Sequence, residues 1–479
     1  MTTAIIWFRR DLRLADNPAL LAALAAADTV IPVYIHPLSQ DSPWPMGSAS
    51  RWWLHHSLKS LDSSLRSLGS GLLIRRGEPL EVLRDLIAAT GADWIYWNRL
   101  YEPSEIARDT RLKQALREDG LAVETCNSRL LYEPWEIKRT GGEPYRVFTP
   151  FWKSMQALGL RRPPEPAPRA MPPLPEGLQG ESLDQLQLLP RISWDKGFYA
   201  FWPVGESAAH ARLDEFSDTS LACYKTGRDH PGQAGTSRLS PHLHFGEISP
   251  RQIVDSLLRD LEFGLGAAGE SYLREIAWRE FAAHLLFHCP GTAEQPLDRR
   301  FLRFPWRTEY AEDLSHWHRG ETGFPVVDAG MRELWHTGWM HNRVRMIVAS
   351  LLTKNLLIPW QEGAKWFWDT LVDADLASNT MGWQWTAGCG ADAAPYFRIF
   401  NPTLQGERFD PEGDYVRRWV PELSTLPARI IHKPWEAGAS VLAGFDVTLG
   451  KDYPYPRVDL RASRERALAA FGAIKNPVS

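Results

Sequence analysis

Short apolar runs alternate with amphipathic stretches from Ala4 to about Asn127. The apolar runs are rich in β-branched and aromatic residues and read AIIWF, VIPVYI, LLIRR, DWIYWN and LAVETC. The stretches between them place apolar residues at i, i+3 and i+4, as in PLEVLRDLIAATG and PSEIARDTRLKQALREDG. Alternating strands and helices predict an α/β domain with a doubly wound parallel sheet, which we assign to residues 1–130.

A proline-dense segment follows, LRRPPEPAPRAMPPLPEGLQG, which begins at Leu160. Its prolines exclude helix and sheet over much of its length, so we predict an interdomain linker over residues 131–195. Beyond it the helical period dominates, with wide apolar faces in SYLREIAWREFAAHLLFHCP, VVDAGMRELWHTGW and HNRVRMIVASLLTKNLLI. Residues 196–479 are therefore predicted to form an all-α domain.

The composition narrows the classes of protein that fit this pattern. The 479-residue chain is 44% hydrophobic and 23% charged, as expected of a globular protein with two or three domains. Because the net charge is -4, any nucleic-acid site must be a local basic patch. Four widely spaced cysteines, with no C-x-x-C pair, favour the reduced cytoplasm. Without a signal-peptide pattern or an apolar run near 18 residues, neither secretion nor membrane insertion is expected.

Several common catalytic and binding motifs are missing from the sequence. It has no G-x-G-x-x-G directly after the first strand, no phosphate-binding G-x-x-x-x-G-K-[ST] and no G-x-S-x-G, which argues against a dinucleotide domain, a P-loop NTPase and a serine hydrolase. The pairs His242 with His244 and His284 with His288 lack a third metal ligand. We therefore predict no metal site and assign these histidines to capping or core hydrogen bonds.

The segment GTSRLSPHLHFGEISP has the composition of an anion site. Thr236, Ser237 and Ser240 supply hydroxyls, and a helix can begin at Pro241 because the proline ring fixes a helical φ. Backbone N–H groups at such a helix start suit a phosphate. Taken alone, the same residues are equally consistent with a simple helix cap.

The segment LVDADLASNTMGWQW carries two aspartates and two tryptophans at i, i+2 spacing. In extended backbone Asp373 and Asp375 would point the same way, and a buried carboxylate needs a partner such as Arg343 or Arg345. We expect Asp373 to form an ion pair with an arginine and Asp375 to accept a hydrogen bond from a ligand. The alternative is a helix N-cap with a surface ion pair.

Tryptophan is unusually frequent, with 22 copies, and most of them are expected in an aromatic core. Trp383 and Trp385 would face the same side in a strand and diverge in a helix. With Trp360 and Trp317 they are either separate core anchors or a set of redox-active indoles. The spacing leaves both interpretations open.

The chain resembles the DNA photolyase and cryptochrome family over nearly its whole length. The resemblance is carried by WFRRDLRLADNPAL, YWNRLYEP, YRVFTPFWK, GTSRLSPHLHFGEIS, REIAWREF, TGFPVVDAGMRELWHTGWMHNRVRM and DADLASNTMGWQWTAGCGADAAPYFRIFNPTLQGERFD. Among its members the sequence is most similar to photolyases for cyclobutane pyrimidine dimers, which implies light-driven repair of UV-damaged DNA.

The resemblance implies an FAD bound by the helical domain and reduced in the active form. The matching positions are Tyr224, Thr236, Ser237, Arg238, Leu239, Ser240, Tyr272, Arg345, Asp373, Asp375 and Asn379. Arg345 matches the partner of the first aspartate, and Asn379 the residue that faces flavin N5. Trp383, Trp360 and Trp317 match the family's tryptophan chain, which carries an electron inward from the surface during photoreduction.

The resemblance also implies a pocket for an extruded dimer, since a lesion inside a duplex is out of reach. Trp278 and Trp385 match its aromatic walls, and Glu275, Asn342 and Met346 its remaining lining. Phosphate contacts are implied for Arg228, Arg279, Arg343 and Gln405.

An antenna chromophore is the least constrained part of the resemblance. Glu105 is retained from the polar pair of folate-binding members, but Ser104 stands where an Asn is usual. Methenyltetrahydrofolate is favoured over a deazaflavin. Tyr272 replaces a frequent Trp beside the flavin, which is a change of one aromatic residue for another.

Other members of the family define the alternatives. A cryptochrome-type blue-light photoreceptor would have nearly the same flavin site, but it would often carry a long C-terminal tail and lack the pocket aromatics. An enzyme for the six-four photoproduct would carry a histidine in place of Asn342. We expect a monomer that binds damaged DNA and no membrane.

Overall fold

A computed structural model describes residues 2–38, 42–159, 163–259 and 266–475 of the chain. They form two compact units. The first unit comprises Met1–Trp194, Trp202–Thr219 and Ser237–Pro290, and the second comprises Asp195–Phe201, Ser220–Thr236 and Gly291–Ser479. The predicted domain limits at residues 130 and 195 stay a prediction, and residues 160–162 at the start of the proline-dense segment lie outside the described residues.

Five parallel strands form the sheet of the first unit, and the predicted fold class is confirmed. The strands are β1 Thr3–Phe8, β2 Thr29–His36, β3 Leu73–Arg76, β4 Trp94–Asn98 and β5 Ala122–Cys126, in the order β3-β2-β1-β4-β5. Ile5 of the central strand β1 pairs with Ile31 on one side and Ile95 on the other. All three are fully buried, because helices cover both faces of a parallel sheet.

Helices lie between the strands and in the three C-terminal stretches where the apolar periodicity predicts them, whereas the helix Phe148–Leu158 lies within the segment predicted as a linker. Their bounds are α1 Pro18–Ala26, α2 Ser48–Ser67, α3 Pro79–Thr90, α4 Pro103–Glu118, α5 Phe148–Leu158, α6 Lys196–Phe201, α7 Glu206–Thr219, α8 Tyr224–Gly227, α9 Ser240–Phe245, α10 Pro250–Arg259, α11 Gly266–His288, α12 Ala311–Arg319, α13 Pro325–Thr337, α14 Asn342–Ser350, α15 Trp360–Thr370, α16 Leu376–Ala387, α17 Pro402–Phe409, α18 Asp414–Trp419, α19 Ala428–Ile431, α20 Ala439–Ala443 and α21 Leu460–Lys475. Within the described part of the chain, no helix is long and apolar enough to cross a membrane.

Local signals explain where several of these helices begin and end. The Asn17 side chain accepts from the backbone N–H of Leu20 and so caps α1, which has a proline in its first turn. Helix α3 ends at Gly91, whose φ of 64° is left-handed and is adopted most readily by glycine. These signals lie in the sequence itself, which is why the N-terminal elements are predicted well.

Helix α14 continues into a π-helical turn at Leu351–Asn355. The turn holds Lys354, whose side chain is buried and whose Nζ donates to the carbonyl oxygen of Arg398 at 2.8 Å. The ammonium group also lies 5.1 Å from the ring centroid of Tyr396. Burial lowers the pKa of Lys354 to about 7.

Candidate functional site

An ion pair joins α14 of the second unit to the segment before α16. Arg345 Nη2 lies 2.8 Å from Asp373 Oδ2 and 3.1 Å from Oδ1, and Arg345 Nε donates to the carbonyl oxygen of Met340 at 2.7 Å. Asp373 is buried, so the guanidinium compensates a carboxylate that would otherwise be costly to remove from water. The predicted pairing of Asp373 with an arginine is confirmed, and that arginine is Arg345.

Asp375 is the N-cap of α16. Its backbone is extended, with φ −104° and ψ 125°, and its Oδ1 accepts from the N–H of Ser378 at 2.9 Å. The alternative of a helix N-cap therefore holds for this residue, although its side chain remains partly exposed. Asn379, on the first turn, donates from Nδ2 to the carbonyl oxygen of Ala364 at 3.0 Å and is also partly exposed.

The two tryptophans of the motif both lie on α16 and therefore diverge. Trp383 is buried, whereas Trp385 is partly exposed. The Trp383 ring meets Phe367 edge-on, with centroids 5.0 Å apart and planes at 73°. It meets Trp317 at 6.1 Å and 67°. The helix gives the two indoles different surroundings, as separate roles would require.

Helix α15 packs closely against the Trp383 ring at Gly363. A Cβ on Gly363 would lie 2.0 Å from the nearest carbon of the Trp383 ring, so no larger residue fits without movement. Trp360 begins the same helix and is buried. The close approach of α15 and α16 thus depends on a residue that has no side chain.

Trp317 is fully buried and donates from Nε1 to the carbonyl oxygen of Val348 at 3.1 Å. Its burial means that it is not itself a surface terminus of an electron path. Its neighbour His318 stacks on Trp366, with centroids 3.9 Å apart, and Trp366 stacks on Trp335 at 6.0 Å. Trp335 is 50% exposed. These ring contacts were missed from the sequence, because no local spacing links them.

Two of the predicted phosphate-contacting arginines lie on aromatic rings within the second unit. The Arg228 guanidinium carbon is 5.3 Å from the ring centroid of Tyr224, which is itself buried. Arg343 lies 4.4 Å from the ring centroid of Phe409, and its Nη2 is 2.6 Å from Asp229 Oδ1. Arg343 is therefore already paired with an acid in the protein alone.

The remaining predicted residues of the second unit differ in exposure. Asn342, the first residue of α14, is exposed. The partly exposed ones are Thr236, Met346 and Gln405.

In the first unit, Ser237 to Ser240 precede and begin α9 as predicted. Arg238 has a φ of 54°, an uncommon left-handed conformation for a residue with a side chain. The Tyr272 hydroxyl donates to Ser237 Oγ at 2.9 Å, and burial raises the pKa of that phenol. Leu239 is buried and Ser240 is exposed at the start of the helix. The segment therefore combines a hydroxyl, a cation and a helix start.

Besides Tyr272, helix α11 carries the predicted residues Glu275, Trp278 and Arg279. Glu275 is partly buried, and Trp278 stacks on Phe148 with centroids 3.7 Å apart. Arg279 Nη1 donates to the carbonyl oxygen of Arg129 at 2.7 Å. Next to it, burial raises the pKa of Glu280 to about 7, against the opposing charge of Arg279.

Glu105 lies in the first turn of α4 and forms an ion pair with Arg108, one turn further along. The sheet order reverses between β1 and β4, which is where open α/β sheets usually bind ligands. At the end of β4, Asn98 Nδ2 donates to Asp11 Oδ2 at 2.6 Å and to Asn17 Oδ1 at 2.7 Å. The amide nitrogen of Asn98 thus makes both hydrogen bonds, while its buried Oδ1 accepts none among the described residues.

The histidine pairs make core hydrogen bonds. His284 Nδ1 lies 3.1 Å from the carbonyl oxygen of Pro134, and its Nε2 accepts from the N–H of Tyr145 at 3.0 Å. His242 Nδ1 lies 2.5 Å from Glu247 Oε2 in the buried interior. Over the residues that the structure describes, no group of three or more His, Cys, Asp or Glu side chains could hold a metal ion.

Comparisons with known proteins agree with the motifs. Residues 4–172 match the family model described as DNA photolyase, and residues 272–473 match the one described as the FAD binding domain of DNA photolyase. A deoxyribodipyrimidine photo-lyase from Agrobacterium fabrum is 50% identical over 98% of this chain and 98% of its own length. Cryptochrome-1 from Arabidopsis thaliana is 41% identical over 97% of this chain and 69% of its own. The crystal structure of a bacterial class III photolyase from Agrobacterium tumefaciens is similar with a TM-score of 0.95, at 49% identity, and covers 99% of this chain and 98% of that one.

Proposed function

We propose that this chain, which belongs to the DNA photolyase and cryptochrome family, uses light to split cyclobutane pyrimidine dimers in damaged DNA. Repair of DNA is supported by near full-length similarity to a deoxyribodipyrimidine photo-lyase. The dimer as the lesion and electron transfer as the reaction are further steps of the proposal. When bound, reduced FAD would supply the electron that opens the cyclobutane ring and would take it back, with no net redox change.

The arrangement of α16 is the observation that carries the proposal. Asp375 and Asn379 lie partly exposed at its start, and they offer the acceptor and donor atoms that the edge of a flavin ring requires. Further along, Trp383 is buried and Trp385 is partly exposed. One helix thus combines polar groups suited to a flavin with a buried indole for electron transfer and an accessible indole for stacking on a base.

The FAD-binding residues that we propose have a chemistry that fits the cofactor. They are Tyr224, Thr236, Ser237, Arg238, Leu239, Ser240, Tyr272, Arg345, Asp373, Asp375 and Asn379. Arg238 and the hydroxyl of Ser237 suit a diphosphate, because a guanidinium and a hydroxyl can both donate to its oxygens. Arg345 acts through Asp373, since their ion pair fixes the backbone just before Asp375.

Electron supply to the flavin is proposed to use Trp383, Trp360 and Trp317. The edge-on contact of Trp383 with Trp317 supports this route. Because Trp317 is fully buried, the path must continue through another group before it meets solvent.

Trp278 and Trp385 are proposed to stack on the extruded dimer, with Glu275, Asn342 and Met346 as further contacts. Stacking on an aromatic side chain contributes about 1 to 3 kcal/mol per base, which offsets the free energy of extrusion. Glu275 would hydrogen-bond a pyrimidine edge. These roles rest on the family motif and on the partial exposure of both indoles.

Phosphates are proposed to bind Arg228, Arg279 and Arg343, with Gln405 beside them. If three phosphates are neutralised, the logarithm of the affinity should fall with the logarithm of salt concentration with a slope of about −3.

Methenyltetrahydrofolate is the antenna that we favour over a deazaflavin, and Glu105 is its proposed contact. The monomeric state and the cytoplasmic location also stay predictions.

The second candidate function is a blue-light photoreceptor, which the 41% identity to a cryptochrome favours. Illumination of the reduced, FAD-loaded protein with dimer-containing DNA distinguishes the two. We expect thymine absorbance to recover in light and not in the dark. No recovery, while light still reduces the flavin, would contradict repair and favour the receptor.

The stacking assignment is tested separately. Trp278→Ala should weaken binding of dimer-containing DNA while the flavin absorbance spectrum stays unchanged. If the parent protein binds damaged and intact DNA with equal affinity, the pocket assignment is wrong.

A further inference from the structure

The indole of Trp278 lies face to face on the phenyl ring of Phe148. Their centroids are 3.7 Å apart and their planes differ by 7°. Among the described residues, the other ring that contacts Trp278 is Phe281, which meets it nearly edge-on at 5.8 Å and 71°. One face of the indole is therefore covered by a phenyl ring, although the side chain as a whole remains partly exposed.

Phe148 is itself held firmly. It is 1% exposed and begins α5, so its backbone is fixed by the helix. Its ring meets Phe281 at 5.9 Å and 68°, and the guanidinium carbon of Arg274 lies 5.2 Å from its centroid. Phe151, from the same helix, packs on Phe281 at 5.1 Å. The phenyl ring on which Trp278 stacks is thus part of the core of the first unit.

Near-parallel, closely superposed rings are not the arrangement that aromatic pairs prefer, since offset and edge-to-face pairs are more stable. The stack is therefore set by the surrounding packing and not by the two rings alone. A side chain that is already oriented loses little rotamer freedom when it binds, whereas a mobile one loses affinity through that ordering.

We propose that Phe148 is a positioning residue for lesion recognition. It fixes the plane of the Trp278 indole and covers one of its faces, so that only the opposite face stacks on an extruded pyrimidine dimer. This inference rests on the proposed function, because it takes Trp278 as a residue that stacks on the lesion.

The test compares two substitutions in the same aromatic cluster. Phe148→Leu removes the ring that covers Trp278 and retains most of the apolar volume. Phe281→Leu removes a ring of equal size that meets Trp278 only nearly edge-on. We expect Phe148→Leu to weaken binding of dimer-containing DNA about 3- to 10-fold, as expected when one side chain must be ordered on binding. Affinity for intact DNA and the flavin spectrum should not change, and Phe281→Leu should have a smaller effect.

The possible outcomes distinguish a failure of the role proposed for Phe148 from a failure of the proposed function. Equal losses in the two leucine variants, or the same loss for intact DNA, would mean that Phe148 has only a structural role. A parent protein that binds damaged and intact DNA equally would refute the stacking role of Trp278, whereas a parent protein that does not repair dimers in light would refute the proposed function itself. If Phe148→Leu does not fold, Phe148→Met fills a similar space with a flexible chain and carries the same expectation.

Discussion

Gly363 provides the sharpest test of the packing around Trp383. In Gly363→Ala the added Cβ would lie 2.0, 2.4 and 2.6 Å from three carbons of the Trp383 ring. Carbon atoms pack at about 3.5 to 4.0 Å, so the indole or α15 must move by about 1.5 Å. Phe367 and Trp317 contact the same ring, so it has little room to retreat. Overpacking of this kind costs about 1 to 3 kcal/mol.

A second glycine on the adjacent helix provides the matched control. Gly382, on α16, is exposed, and a Cβ there would meet nothing within 4 Å. Both alanines gain about 1 kcal/mol of helix propensity. We therefore expect Gly382→Ala to stabilise the protein by about 1 kcal/mol, and Gly363→Ala to destabilise it by up to about 2 kcal/mol after the same gain.

Urea unfolding of the FAD-loaded protein, followed by far-UV circular dichroism, measures both changes. Photoreduction of the oxidised flavin should be slower in Gly363→Ala and unchanged in Gly382→Ala, because only the first displaces Trp383. If the two variants had the same unfolding midpoint, the close contact between α15 and Trp383 would be wrong. Slower photoreduction in both would show that the effect is not specific to the indole.

Three further predictions concern charge and electron transfer. Asp229→Asn removes the carboxylate that pairs with Arg343. Binding of both damaged and intact DNA should therefore strengthen in filter-binding assays at low salt. Weaker binding would instead mean that the ion pair orients Arg343 towards a DNA phosphate. Burial raises the pKa of Glu280 from its ordinary value of 4.5 to about 7. Between these two pH values the folded state therefore binds more protons than the unfolded state. The free energy of unfolding should fall as pH rises through that window. Glu280→Gln should remove up to about 3 kcal/mol of this pH dependence in urea unfolding measured at pH 4 and pH 8, and an unchanged dependence would contradict the raised pKa. Trp317→Phe should slow photoreduction but leave repair by the already reduced enzyme intact, and a loss of both would refute the proposed electron route.

Local sequence signals predicted most of the fold. The five strands and the long helices follow from apolar periodicity, and the start of α9 follows from a Ser-Pro pair. The pairing of Asp373 with an arginine follows from the need to compensate a buried carboxylate. In each case the deciding residues lie close together in sequence or obey a general rule of burial.

The contacts that the sequence did not predict join residues far apart along the chain. Phe148 under Trp278 belongs to a different helix, and nothing in the spacing of either segment indicates the stack. The same is true of Asp229 beside Arg343. For Asp375, the short-range interaction was visible but two roles competed, and only the backbone geometry identified the N-cap.

The π-helical turn at Leu351–Asn355 makes this part of the chain sensitive to changes in length. Such a turn holds one residue more than an α-helical turn, so deletion of a single residue could restore a regular helix with little loss of local hydrogen bonding. The extra residue is absorbed within the turn, so removing it would leave the residues that follow in the positions they now occupy. A one-residue deletion within Leu351–Asn355 should therefore be tolerated only where it spares Lys354, whose amine holds the carbonyl oxygen of Arg398.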